Sequence, residues 1–220
     1  MNDYVFYSGK NIPKELYDKA VKFDNKIFSS GDKSYCYDTF IPYETTYNLL
    51  LANLDTTIIC YDTKNSEIVG LLMCINLNEK ATMSYLKEQR LLKDFTKDDI
   101  CDLKNETHTN LAVYSLGVNE NLRGEKLITI DNTNMTINKA LFAYLAYRII
   151  FLMQNGVVYD KLISEGTSQS GIKLSAQLTH DNLYKKCSDN ALLYANAFDI
   201  SLFDFLPNYA NILNAYNQKL

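Results

Sequence analysis

The chain has 220 residues, 47% apolar and 22% charged, with a formal charge of −4 and a pI near 5.2. A chain of this length buries about 70% of its unfolded surface and needs no disulfide or metal staple. Three prolines beside this apolar fraction exclude disordered, collagen-like and mucin-like sequence, and the acidic balance argues against a nucleic-acid binder with a basic surface. It mildly favours a neutral or cationic partner.

No repeat, low-complexity tract or Pro/Gly/Ser linker interrupts the chain, so residues 1–220 read as one domain. A short strand at 4–7 comes first. Pro13 then sits where a helix would begin, and Leu16, Ala20, Phe23 and Ile27 follow at helical spacing. A second helix is predicted over 44–52. Thr56-Thr-Ile-Ile-Cys-Tyr-Asp62 and the run 68–77 are β-rich and separated by Thr63-Lys-Asn-Ser-Glu67, which predicts a hairpin with a five-residue loop. Residues 79–109 form a charged inserted segment with helix candidates at 83–95 and after Thr96-Lys-Asp-Asp99, a capping-box-like start. Strand character returns at 111–118, and the polar stretch 119–135 leads into a long helix at 137–155 that Gly156 stops. A strand at 159–164, a helix at 168–180, a strand at 191–197 and a helix at 207–217 complete the order. The class is mixed α/β (α+β), with too few βαβ units for a doubly wound sheet.

The five cysteines, Cys36, Cys60, Cys74, Cys101 and Cys187, never form a CxxC pair, and with only His108 and His180 beside them no zinc spacing arises. Reduced, buried thiols in a cytoplasmic protein are the expectation, with no metal. The opening Met1-Asn-Asp-Tyr-Val-Phe6 lacks the basic and apolar regions of a secretory signal. The longest apolar run, 140–153, is too short to span a bilayer and contains Arg148, so no membrane partner is expected.

The most informative junction is Leu116-Gly-Val118-Asn-Glu-Asn-Leu-Arg123-Gly124, after a strand and before the long helix. A strand, a Gly-containing turn and a helix N-terminus bring free N–H groups and a positive dipole end to one point, and Arg123 adds a forked cation suited to phosphate. Three runs then occur in order: Ile68-Val69-Gly70-Leu71-Leu72, the Val118-to-Arg123-Gly124 spacing, and Ile163-Ser-Glu-Gly-Thr167-Ser-x-Ser-Gly171-Ile-Lys-Leu174. Together they resemble the GNAT superfamily of acetyl-CoA-dependent N-acetyltransferases over roughly residues 4–200. Phe23-Asp-Asn-Lys-Ile-Phe28 is similar to first-helix sequences of amine-acetylating members.

The resemblance implies a mainly antiparallel central sheet with a splayed strand pair, flanked by helices. It implies that backbone near Leu116 and Val118 holds the pantetheine, and that Arg123, Gly124, Lys126 and the helix start hold the pyrophosphate. Two departures stand out. Lys126 and Ile128 fall where the family has glycines that let backbone approach the phosphates. Either 125–135 is an insertion, with amides near 132–136 taking over, or the site has decayed.

The family's general-acid Tyr is also missing from the helix after the later strand. Ser175 stands at that position, and Leu183-Tyr184-Lys-Lys186 offers a second match. The family's base position, four residues ahead of Val118, is Tyr114, a poor base, so either water takes the proton or a carboxylate from elsewhere does, with Glu44, Glu120 and Glu165 as candidates. Glu165 stands out because it ends a strand at the expected cleft. His108 and His180 read as surface residues. The expected function is acetyl transfer from acetyl-CoA to an amine, a small molecule or less readily a peptide. The alternative is a catalytically inactive acyl-CoA-binding or regulatory module. The segment 79–109 could be a lid, a homodimer contact or ornament.

Overall fold

The centre of the sheet is dictated by an apolar run that never alternates. β3 (Glu67–Leu77) is buried at every position after Glu67, the pattern of a strand covered on both faces. A computed structural model describes residues 3–30, 41–87, 90, 94–188 and 191–218. Cys36 and part of the helix expected at 83–95 lie outside them. Around β3 the chain runs β1 (Tyr4–Ser8), α1 (Glu15–Ser30), α2 (Tyr43–Ala52), β2 (Thr57–Asp62), α3 (Glu79–Lys87) and β4 (His108–Val118). It continues through β5 (Ile128–Ile130), β6 (Thr133–Met135), α4 (Ile137–Gln154), β7 (Val158–Gly166), α5 (Gln169–Leu178), β8 (Leu183–Ser188), β9 (Ala191–Ala197) and α6 (Tyr209–Asn217).

Seven strands form one sheet in the order β1-β2-β3-β4-β7-β9-β8, and every neighbouring pair is antiparallel except β4 and β7. One face packs on α4, α5 and α6, with Ile58, Leu72, Cys74 and Leu111 meeting Leu141, Leu145 and Ile149. The other packs on α1, α2 and α3, with Leu71, Met73, Ile75, Ala112 and Ile163 meeting Ala20, Leu49 and Tyr85. The mixed, mainly antiparallel fold is the one the resemblance implies.

Local chemistry accounts for several boundaries. Thr96 and Asp99 make the reciprocal capping box that opens a 3-10 turn at Lys97–Asp99. Ser168 caps α5 by accepting from the Gly171 N–H at 3.1 Å. Gly156, at φ +93°, ends α4. Two features depart from the expectations. Leu183-Tyr184-Lys185-Lys186 lies in an edge strand, β8, between the expected helix at 168–180 and the expected strand at 191–197. The polar stretch before α4 contains a β5–β6 hairpin whose two turn residues, Asp131 and Asn132, both have positive φ, the type I′ pattern.

α5 begins so close to the end of β7 that a Cβ on Gly166 would lie 2.4 Å from the Ile172 Cα. Backbone cannot yield as a flexible side chain can. Gly166→Ala should therefore cost about 1–3 kcal/mol, as overpacking does, and lower the unfolding midpoint by about 2–4 °C per kcal/mol in a calorimetric scan. An unchanged midpoint would mean that this contact is loose.

Candidate active site

β4 and β7 share a ladder from His108↔Val158 to Val113↔Ser164, and no further. From Tyr114 onward β4 follows β3 alone, while Glu165 and Gly166 follow β9. The register shift against β3 explains part of this parting. Val113 pairs with Cys74 and Ser115 with Met73, which leaves Tyr114 as an extra residue, and a bulge bends its strand. An internal edge is thereby created within the sheet, with β4 backbone groups lacking a β7 partner.

The bulge has a second effect. Alternation is suspended for one residue, so Tyr114 and Ser115 both meet the α1–α2 side. The Tyr114 hydroxyl lies 3.4 Å from the Thr46 hydroxyl of α2, and the Ser115 hydroxyl donates to Asp24 of α1. Burial pushes the Tyr114 phenol well above its ordinary range, so it stays neutral and is no base. Burial also pushes the Asp24 carboxyl up to about 7, against the opposing Ser115 hydrogen bond. Asp24 was not among the predicted site residues. Its signal was an acid on the apolar stripe of α1, one turn after Ala20 and next to Phe23.

On the other arm, Glu165 is half-buried and is the first β7 residue past the last pair with β4. The buried Tyr85 of α3 donates its hydroxyl to Glu165. Burial raises the Glu165 pKa, while the Tyr85 hydrogen bond and the Lys185 charge pull it back. Glu44 and Glu120 are exposed, at the first turn of α2 and in the turn after β4. His108 and His180 are also exposed, with Asp160 and Asp204 as their carboxylate partners at 3.1 and 3.8 Å.

The two predicted acids lie on α5 and β8. Ser175 is buried on α5 with its hydroxyl 2.8 Å from that of Ser164, beneath β7. Tyr184 is 46% exposed on β8, separated from the parting by β9 and β7. Spacing alone could not reveal this, because β8 was not expected as a strand.

The predicted donor-side residues gather at the far end of β4. Leu116 and Val118 lie on the stretch of β4 that has no β7 partner, and Arg123 folds back so that its Nε donates to the Val118 carbonyl at 3.2 Å. Gly124, at φ +85°, has open space where a side chain would be. Val118 pairs with Gly70, and a Cβ on Gly70 would lie 2.7 Å from the Ile137 side chain, so the start of α4 reaches the same corner. The α4 N-cap, Thr136, makes no side-chain cap. The two residues aligned with phosphate-loop glycines, Lys126 and Ile128, lie at the entry to the β5–β6 hairpin. Ile128 is buried in the hairpin against Met135, and Lys126 is exposed ahead of it. Asp131, at the hairpin turn, accepts from Tyr147 of α4 and from Asn208 Nδ2 at 3.0 Å, which pins the insertion to the helical layer.

This arrangement is similar in fold to solved N-acetyltransferases and to a GNAT-like decarboxylase. A mosquito arylalkylamine N-acetyltransferase-like protein superposes with a TM-score of 0.51 at 12% identity, over 89% of this chain and 100% of that one. A Drosophila melanogaster polyamine N-acetyltransferase gives 0.52 at 13%, with the same coverage. The GNAT-like decarboxylase GphF, in complex with isobutyryl-CoA, gives 0.53 at 7%, over 88% and 98%. No protein-family model and no curated protein matches the sequence. Among the described residues no cluster of His, Cys, Asp and Glu could hold a metal ion, and no helix is long and apolar enough to cross a membrane.

The buried Asp24 makes a signed prediction. Its folded pKa, near 7, lies above the unfolded value of about 3.9. Its contribution to stability is therefore full below about pH 4 and is lost as pH rises through 7. Asp24→Asn should remove that loss, so the variant gains on wild type by a few kcal/mol between pH 5 and 8 in urea unfolding. Parallel stability curves across that range would refute the assignment.

Proposed function

We propose that this protein is an acyltransferase that moves an acetyl group from acetyl-CoA to a small amine. The observation that carries the reading is the parting of β4 and β7 beyond Val113 and Ser164. An extended amide chain can pair, as an added strand would, with the β4 backbone near Leu116 that has no β7 partner, next to the Val118 carbonyl held by Arg123. Arg123 and the start of α4 supply a cation and helix-terminal N–H groups at the same end, which suits a pyrophosphate. The chain's own residues thus fit a CoA thioester, with the α4 terminus standing in for the missing glycine loop. Bound acetyl-CoA would supply the activated acyl group.

On the acceptor side, Glu165 takes the proton from the ammonium, leaving a neutral amine to act as nucleophile. Its half-buried position at the parting makes it the better base. Asp24 is almost completely enclosed, and its role is to fix the Ser115 corner. Two carboxylates on the α1–α3 side suit a positively charged acceptor. The likeness in fold to arylalkylamine and polyamine acetyltransferases supports a small amine over a peptide. The free thiols of Cys60, Cys74 and Cys101, all buried, suit a reducing, cytoplasmic setting.

Acetyl-CoA at about 100 times its dissociation constant should stabilise the protein by about 2.7 kcal/mol, a readily measured thermal shift. Arg123→Ala should weaken that binding about tenfold or more, as loss of a charge-assisted phosphate contact does. Free thiol should then appear with one or more members of an amine panel. Binding without turnover on any amine would favour a regulatory module. The absence of any shift at millimolar acetyl-CoA would reject the reading outright.

A further inference from the structure

The segment between β3 and β4 is bound to the sheet at several points. Asn78 caps α3 by accepting from the Ala81 N–H at 2.8 Å, and its own N–H donates to the Asp99 carbonyl at 3.0 Å. Ile100 bridges to Leu77, and the Glu79 carboxylate accepts from Asn110 Nδ2 of β4 at 3.3 Å. These ties carry α3 across the α1–α2 face to the β7 arm of the parting. There Tyr85 is 1% exposed, with Phe95 edge-on to its ring at a centroid distance of 5.2 Å. The guanidinium of Arg90 covers Phe95 at 4.6 Å and is itself held by Asp99 at 2.5 Å. A phenol enclosed in this way has little rotational freedom, and its hydroxyl is aimed at the Glu165 carboxylate.

β8 closes the group from the other side. Lys185 and Glu165 both pair with Leu193, one on each flank, so their side chains share the face that α3 covers. The Lys185 ammonium donates to the Tyr85 carbonyl at 2.7 Å, near the end of α3 where carbonyls lack helical partners. Cys187 lies in the same group, its thiol pushed up to about 11 by burial and the Glu165 charge. One residue from α3 and two from β8 therefore surround a carboxylate at the parting of β4 and β7.

We infer that Tyr85 is a positioning residue, which orients Glu165 and keeps it ionised so that it can accept a proton, and that Lys185 braces this contact from β8. The inference rests on the proposed acyl transfer, with Glu165 as its base. α3, within the segment 79–109, is then a working wall of the acceptor site. The physical reason is that a half-buried carboxylate loses hydration and favours its neutral form unless a donor stabilises the charge. The enclosed hydroxyl of Tyr85 is such a donor and leaves the other carboxylate oxygen for the acceptor.

The test uses Tyr85→Phe, which removes one oxygen and keeps the ring against Phe95. The Glu165 carboxyl is titrated by carbon-13 NMR in protein labelled at glutamate, with Glu165→Gln assigning the signal, and no CoA is needed. The Glu165 pKa should rise by about one unit in Tyr85→Phe and move the same way by less in Lys185→Met. In steady-state acetylation the acid limb of kcat/KM should shift upward equally. Activity would fall by about tenfold on the acid limb, below the Glu165 pKa, and recover at higher pH. A uniform loss at all pH values, with the Glu165 pKa unmoved, would overturn the positioning role and make Tyr85 a packing residue. If Tyr85→Phe does not fold, an unmoved pKa in Lys185→Met overturns it instead. A shifted pKa in a protein that acetylates no amine would overturn the proposed function while leaving the Tyr85–Glu165 contact established.

Discussion

Parallel β4 and β7 share hydrogen bonds only as far as Val113 and Ser164, and the remainder of the candidate site is organised by how each then continues. β4 keeps its ladder with β3 and bends at the Tyr114 bulge, whereas β7 keeps its ladder with β9 as far as Gly166. Each arm is satisfied on one side, so the unpaired backbone that faces the gap does not unravel the sheet. A sheet interior is ordinarily the place where backbone polar groups are fully used. Here a short internal edge is maintained by packing from outside: α1 against Gly117 on one arm and α5 against Gly166 on the other.

The two enclosed carboxylates follow from that geometry and carry an energetic cost. Asp24 and Glu165 come from opposite sides of the parting, and each receives one hydroxyl from a neighbouring element, Ser115 or Tyr85. A single donor offsets only part of the hydration lost, so burial still raises both pKa values. Carboxylates held in this condition gain from an incoming cation or proton, which a fully solvated acid does not. The difference between them is access: Asp24 is sealed under α1, and Glu165 stands at the opening.

The donor corner shows a different economy. Between β4 and α4 the chain runs through the β5–β6 hairpin. The hairpin is held by the burial of Ile128 and Met135 and by Asp131 at its turn. α4 is thereby free to start against Gly70, beside the end of β4 and the Arg123 side chain. The position of α4 is set by the apolar layer of Leu141, Leu145 and Ile149 beneath it, not by the hairpin that precedes it.

Local patterns were sufficient for most of the elements. The hairpin around residues 63–67, the capping box at Thr96, the long helix ended by Gly156 and the Ser168 cap are short-range signals, written in spacing and side-chain chemistry. The place of Glu165 near the end of a strand was legible for the same reason. β8 was not, because Lys185 and Lys186 obscure alternation in an edge strand with register shifts at both ends. Asp24, Tyr85 and Lys185 were missed as a site because their meaning depends on partners 91, 80 and 100 residues away in sequence. Ser175 and Tyr184, placed by spacing, turned out to lie beneath β7 and on the sheet edge. The sequence by itself determined the elements, the apolar layers and the kind of corner that Arg123 and the α4 start could form. Only the tertiary structure decided which polar groups face the gap, because a one-residue bulge at Tyr114 turns side chains to a new face and long-range packing selects their partners.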